Sequence, residues 1–144
     1  MTTQMTKYYE QLRLSPYLCS AKVPTIGYGT TYYPDGRKVT LDDEPITEDY
    51  AEALLNDYCI KNIYPIFTKI PYQLTEGQRS SLTSLIYNID PSAFLKSKLY
   101  KAICEKDLAG IFKNWDWIKA DGKVLKGLCK RRTEELYMFM RDIA

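Results

Sequence analysis

Few kinds of side chain are available here for acid–base chemistry. The chain has no histidine, which removes imidazole-based triads and the zinc sites that need imidazole. Proton transfer and nucleophilic attack therefore fall to carboxylates, thiols, Lys and Tyr. Glu10 lies three residues before Arg13, the separation of an ordinary helix-surface ion pair, and by spacing alone is a solvated surface group. Cys19 is one of 4 cysteines, with Cys59, Cys104 and Cys129. They are scattered over a chain long enough to bury a core without bridges, so reduced thiols are expected. A thiol of pKa about 8.5 is only about 3% ionised at pH 7. Lys22 or a backbone donor beside Cys19 would raise that fraction, whereas an arbitrary free cysteine is a small buried hydrophobe. Thr25 lies in a β-prone stretch and by itself is a strand former.

The elements that must position these groups follow from periodicity and punctuation. Residues Thr6 to Leu14 predict a short helix with Met5, Tyr9 and Leu12 to one side, halted by Ser15-Pro16, so that Glu10 falls near its C-terminal end. Pro24 to Gly29 and Lys38 to Leu41 read as strands, with Pro34-Asp35-Gly36 as turn chemistry, in a small antiparallel hairpin or three-stranded sheet. Beyond this the period is helical. Thr47 is a good N-cap for a helix with acidic Glu48 and Asp49 in its first turn and an apolar stripe of Ala51, Leu54, Leu55, Tyr58 and Cys59, kinked or ended at Pro65. Thr75 and Gln78 form a capping box for a helix burying Leu82, Leu85, Ile86 and Ile89, broken at Pro91-Ser92. A third segment carries Phe94, Leu95, Leu99 and Ile103, and a fourth, Asp107 to Trp115, carries Leu108, Ile111 and Phe112. A last helix runs from about Leu128 to Ile143. The fold class expected is α+β, mainly helical, with a small N-terminal antiparallel β-sheet. A chain of 144 residues without repeats or long linkers suggests one domain over 1–144, with a β-lobe over about 15–45 and a helical lobe over about 47–144 together with the N-terminal helix.

Charge excludes some functions. Twenty Lys+Arg against 18 Asp+Glu leave a net charge of +2, too little to hold nucleic acid by phosphate neutralisation. No window matches a membrane span, and residues 1–24 contain no signal-type apolar core, so the expectation is a protein held in a cytoplasm unless something else exports it. Lys119, Lys123, Lys126, Lys130, Arg131 and Arg132 place six basic residues in fourteen positions with only Asp121 opposed. Such a run attracts anionic polymers, and salt would weaken the attraction.

The string Tyr9-Glu10-Gln11-Leu12-Arg13-Leu14, then Pro16-Tyr17 and Thr25-Ile26-Gly27-Tyr28-Gly29, resembles the N-terminal signature of the phage-type lysozymes, glycoside hydrolase family 24. The family's spacing of Glu, eight residues, Asp or Cys, five residues, Thr falls on Glu10, Cys19 and Thr25. Ile46-Thr47-Glu48, Leu74-Thr75-Glu76-Gly77-Gln78, Tyr87-Asn88-Ile89 and Ala93-Phe94 with Ser97 match later motifs. Gly122-Lys123-Val124-Leu125-Lys126-Gly127-Leu128 with Lys130-Arg131-Arg132 and Glu135 matches the family's tail. Gln11 and Asp90 stand where the family pattern usually has Gly, and Thr30 where many members have His.

The resemblance implies a lysozyme-like fold and cleavage of the β-1,4 bond between N-acetylmuramic acid and N-acetylglucosamine in bacterial peptidoglycan. Glu10 would be the general acid, with Cys19 and Thr25 assisting the attacking water. For Cys19 three roles stay open: thiolate base, thiolate nucleophile, or neutral spacer while Thr25 orders the water. Tyr87, Asn88 and Ser97 match positions that line the saccharide groove, and Arg131 is counted with them as substrate-binding. No cofactor or metal is implied. A monomer is expected, held in the host cytoplasm until a membrane-permeabilising partner, a holin, releases it to the wall. Two other functions fit the same residues: a lytic transglycosylase, in which the muramic 6-hydroxyl replaces water and leaves a 1,6-anhydro end, and a wall-binding protein without turnover.

Overall fold

The computed structural model describes residues 2–143, in two compact units: residues 7–62 form one, and residues 2–6 with 63–143 the other. The first helix, α1 (Gln4–Glu10), stops four residues short of the predicted end. Gln11 turns left-handed at φ 58° while its N–H donates to the Lys7 carbonyl at 3.1 Å, a helix-ending geometry that usually takes glycine. The reversal frees Arg13–Leu18 to form strand β1, which pairs antiparallel with β2 (Pro24–Gly27) in the register Arg13↔Gly27, Tyr17↔Thr25 and Leu18↔Pro24. Pro16 lies inside β1, where the register shifts between Arg13 and Tyr17, as a residue without an N–H requires. Lys38 to Leu41, expected as a strand, contributes only a bridge from Lys38 to Tyr32.

The turn at Pro34-Asp35-Gly36 is present: Gly36 N–H donates to Tyr33 O and Tyr33 N–H to Arg37 O, each at 2.9 Å. Asp43 ties this loop together. It accepts from the Thr40 N–H at 3.0 Å, the Tyr33 hydroxyl at 2.7 Å and the Thr40 hydroxyl at 2.8 Å. Those bonds, led by the Thr40 amide, hold the Asp43 carboxyl well below the usual carboxylate range. Burial and the bond to Asp43 push the Tyr33 phenol up to about 12.

Helix α2 (Glu48–Asn62) starts as expected, with the Thr47 hydroxyl accepting from Tyr50 N–H at 3.1 Å. Ala51, Leu54, Leu55 and Cys59 are buried, but Tyr58 points outward. α2 packs on β2, and Gly27 permits the approach: it adopts φ +67°, and a Cβ there would lie 3.3 Å from the Ala51 Cβ. Ile26, Tyr33, Val39 and Leu54 form the core of this unit, with Ile46 against them.

In the other unit Pro65 opens a short helix, α3 (Tyr64–Phe67), instead of kinking α2. The capping box of α4 (Glu76–Ile89) is complete, and the Thr75 hydroxyl also bonds Asp142. Leu82, Leu85 and Ile86 are fully buried. Asp90, at φ 94°, ends α4, and its carboxylate caps α5 (Pro91–Leu95) by accepting from Ser92 and Ala93 N–H. α6 (Lys98–Glu105) buries Leu99 and Ile103; α7 (Leu108–Asn114) buries Ile111 but leaves Leu108 and Phe112 exposed. A second hairpin, β3 (Lys119–Ala120) with β4 (Lys123–Val124), turns on Asp121 and Gly122, both at positive φ, the conformation for which Asp-Gly is suited. It was not among the expected elements. The last helix, α8 (Lys126–Met140), packs along α4. The result is a mainly helical α+β chain with two small antiparallel sheets.

Candidate active site

Glu10, Cys19 and Thr25 belong to the same unit. Glu10 is half-buried at the last position of α1, where the left-handed Gln11 separates it from β1. Cys19 follows β1 directly and is also half-buried, while Thr25, on β2, is buried. A tight turn joins the strands. Cys19 N–H donates to Val23 O at 3.1 Å and Lys22 N–H to Cys19 O at 2.8 Å, with Lys22 left-handed at φ 61°.

The Val23 N–H contributes most to holding the Cys19 thiol below its ordinary value, burial opposes it, and the Ala21 N–H adds to the lowering. Of the two devices expected, backbone donors act here; the exposed Lys22 contributes its backbone conformation and its charge is not among the causes. The Thr25 hydroxyl gives its one proton to Val23 O at 2.8 Å, which leaves its oxygen as an acceptor. An acceptor cradled by peptide N–H groups is stabilised in its charged form.

Tyr17 joins these residues. It pairs with Thr25 across the hairpin, and the Arg13 guanidinium lies 4.7 Å from its ring centroid. Burial raises the phenol's pKa and Arg13 opposes the rise, while Glu10 and Cys19 both add to it. The phenol thus lies within electrostatic reach of the carboxyl and the thiol. Sequence reasoning did not single it out, because Arg13 and Leu14, where its strand begins, were read as the end of a helix; its place opposite Thr25 is a matter of register.

Tyr87, Asn88, Ser97 and Arg131 lie in the other unit. Tyr87 is half-buried near the end of α4. Asn88 is exposed, its Oδ1 accepting from Arg132 at 2.9 Å. Ser97 caps α6, accepting from Tyr100 N–H at 3.1 Å and donating to Phe94 O at 2.6 Å. Arg131 is interior: its guanidinium donates to the Ser84 hydroxyl at 3.1 Å, to Ser84 O at 2.9 Å and to Glu135 at 3.3 Å. Glu135, fully buried, also pairs with Arg132 at 2.7 Å and accepts from Trp115 Nε1 at 3.2 Å and from the Ser84 hydroxyl. The run of six basic residues therefore divides. Arg131 and Arg132 turn inward to Glu135, and the four lysines are exposed. Glu135 was legible only as part of a motif; that it anchors two arginines needs the packed helices.

Among the described residues no three side chains of metal-ligating type come together, and no helix is long and apolar enough to cross a membrane.

Comparison with known proteins covers most of the chain. An endolysin of Acyrthosiphon pisum secondary endosymbiont phage 1 is 36% identical over 140 residues, covering 94% of this chain and 92% of its own. The solved endolysin of Escherichia coli O157:H7 phage FAHEc1 superposes with a TM-score of 0.83 at 28% identity, covering 99% of this chain and 95% of its own. A P22 lysozyme, solved as a point mutant, gives 0.77 at 28% identity over 96% and 94%. The phage lysozyme family model matches residues 7–135, and the chain belongs to that family.

Proposed function

We propose that this chain is an endolysin that hydrolyses the β-1,4 bond between N-acetylmuramic acid and N-acetylglucosamine in bacterial peptidoglycan. The observation that carries this reading is the placement of Glu10 at the end of α1 with Cys19 and Thr25 on the hairpin that follows it, the Thr25 hydroxyl bonded to the Val23 carbonyl inside the turn. Glycoside hydrolysis needs a proton on the leaving oxygen and an activated nucleophile. Glu10 gives its proton to the glycosidic oxygen as the bond to the anomeric carbon breaks. A water ordered by the Thr25 oxygen attacks that carbon and passes a proton to the Cys19 thiolate. Moving one proton from the thiol to Glu10 restores the starting state.

Asn88 offers an amide and Tyr87 a ring to the glycan. Ser97 and Arg131, committed to a cap and to the Glu135 cluster, act on substrate by fixing the elements around it. The two units work as one catalytic domain. Acting on the wall from a host cytoplasm, as a monomer, the enzyme depends on a holin-type partner for release.

The test is the chemistry of the new end. Reducing muropeptides from purified peptidoglycan support hydrolysis; 1,6-anhydro ends assign a lytic transglycosylase and remove Cys19 from water activation; binding without fragments assigns a wall-binding protein.

A further inference from the structure

Helix α8 buries Arg131, Arg132, Glu135 and Phe139. Opposite them Lys126, Lys130, Thr133, Tyr137 and Arg141 recur at i, i+4, i+7, i+11 and i+15, so they fall in one narrow line, and all five are exposed. The line extends roughly 22 Å along the helix at ~1.5 Å per residue. Its three charges are all positive. Half-buried Glu134 borders it, and Asp142 lies 3.8 Å from Arg141 at one end. Tyr137 is 66% exposed, with the Arg141 guanidinium 5.9 Å from its ring centroid.

We propose that this face of α8 is a second, non-catalytic binding site for an anionic glycan strand of the wall. The proposal rests on the peptidoglycan reading above. A convex line of this length fits a polymer and not a small molecule. Tyr137, its ring flanked by Arg141, offers a flat apolar face for a sugar ring, and Lys126 and Lys130 pair with carboxylates of the stem peptides. A helix lying on a membrane needs a broad apolar face, and this one has a single aromatic. Three cations on a chain of net charge +2 are few for a nucleic-acid site. A second contact keeps an enzyme on an insoluble polymer between cuts by raising the effective concentration of the next bond.

The test is co-sedimentation of the full chain, in a Glu10→Gln background, with purified peptidoglycan sacculi. Tyr137→Ser should weaken binding about three- to tenfold, and Lys126→Gln with Lys130→Gln should weaken it at low salt but make little difference at high salt, where the attraction to stem-peptide carboxylates is screened. With Glu10 restored, the same variants should keep kcat/KM on a short soluble muropeptide oligomer and an unchanged Tm. Sedimentation equal to the parent, an equal loss on the soluble oligomer, or tighter binding to phosphatidylglycerol vesicles than to sacculi overturns the proposal. Failure of the catalytic reading would show separately, as no fragments from the chain with Glu10 intact.

Discussion

Thr25 stands beside Cys19 at the end of the β1–β2 hairpin, its hydroxyl donating 2.8 Å to the Val23 carbonyl while the Val23 N–H supports the sulfur. One short turn thus carries both groups to which the proposed mechanism gives the attacking water. Because the proposed mechanism needs Glu10 protonated and Cys19 ionised, turnover should be bell-shaped in pH, with one limb set by a thiol held below its ordinary value. Cys19→Asp should move this limb into the carboxylate range near pH 4, and Cys19→Ser should lose about 10²- to 10⁴-fold in kcat. Rate against pH for the three proteins measures this; a serine variant as active as wild type would exclude a thiolate.

Two of the non-glycine residues at positive φ, Gln11 and Asp90, should respond differently to glycine. Gln11 takes φ 58° with an exposed side chain, so Gln11→Gly should raise stability by about 1 kcal/mol through relief of left-handed strain. Asp90, at φ 94°, also caps α5 through Ser92 and Ala93. Asp90→Gly exchanges strain for a lost cap of about 1 kcal/mol, so little net change is expected. Urea unfolding of both variants checks the contrast.

Glu135 is fully buried between Arg131 and Arg132. Glu135→Leu should cost about 3–5 kcal/mol, because two buried guanidinium groups lose their counter-charge. A denaturation midpoint near that of wild type would show that other groups neutralise the pair.

Tyr33 should give the chain an alkaline signature. Its phenol is raised from 10.0 to about 12, so the folded state holds the proton more tightly than the unfolded state does. The stability this contributes is complete below pH 10 and is lost as pH rises through about 12. Thermal melts of Tyr33→Phe should lose this part of the pH dependence. Asp43, held low, has the opposite sign: its contribution is present above the ordinary carboxylate range and disappears as pH falls through the folded value.

Local chemistry made part of this fold legible before any coordinates. The Thr75–Gln78 capping box, the Thr47 cap and the Pro34–Gly36 turn each depend on residues within a few positions of one another. The end of α1 does not, because a left-handed Gln11 carries no glycine signal and the competing strand lies beyond it. Tyr58 and Cys59 both suit the apolar stripe of α2, and only packing buries one and exposes the other. At the site, Glu10, Cys19 and Thr25 were marked by motif spacing. Tyr17 depended on strand register, and the inward turn of Arg131 and Arg132 on a carboxylate buried one helical turn away. The Asp121-Gly122 hairpin was open to reading from its turn chemistry, but strands of two residues have too little periodicity to draw notice.

Glu10 as the acid is tested most directly by mass spectrometry of the soluble fragments that wild type and Glu10→Gln release, side by side, from purified peptidoglycan. Reducing muropeptides from wild type and none from a folded Glu10→Gln protein are the expected result. Fragments released at the wild-type rate by Glu10→Gln would contradict it.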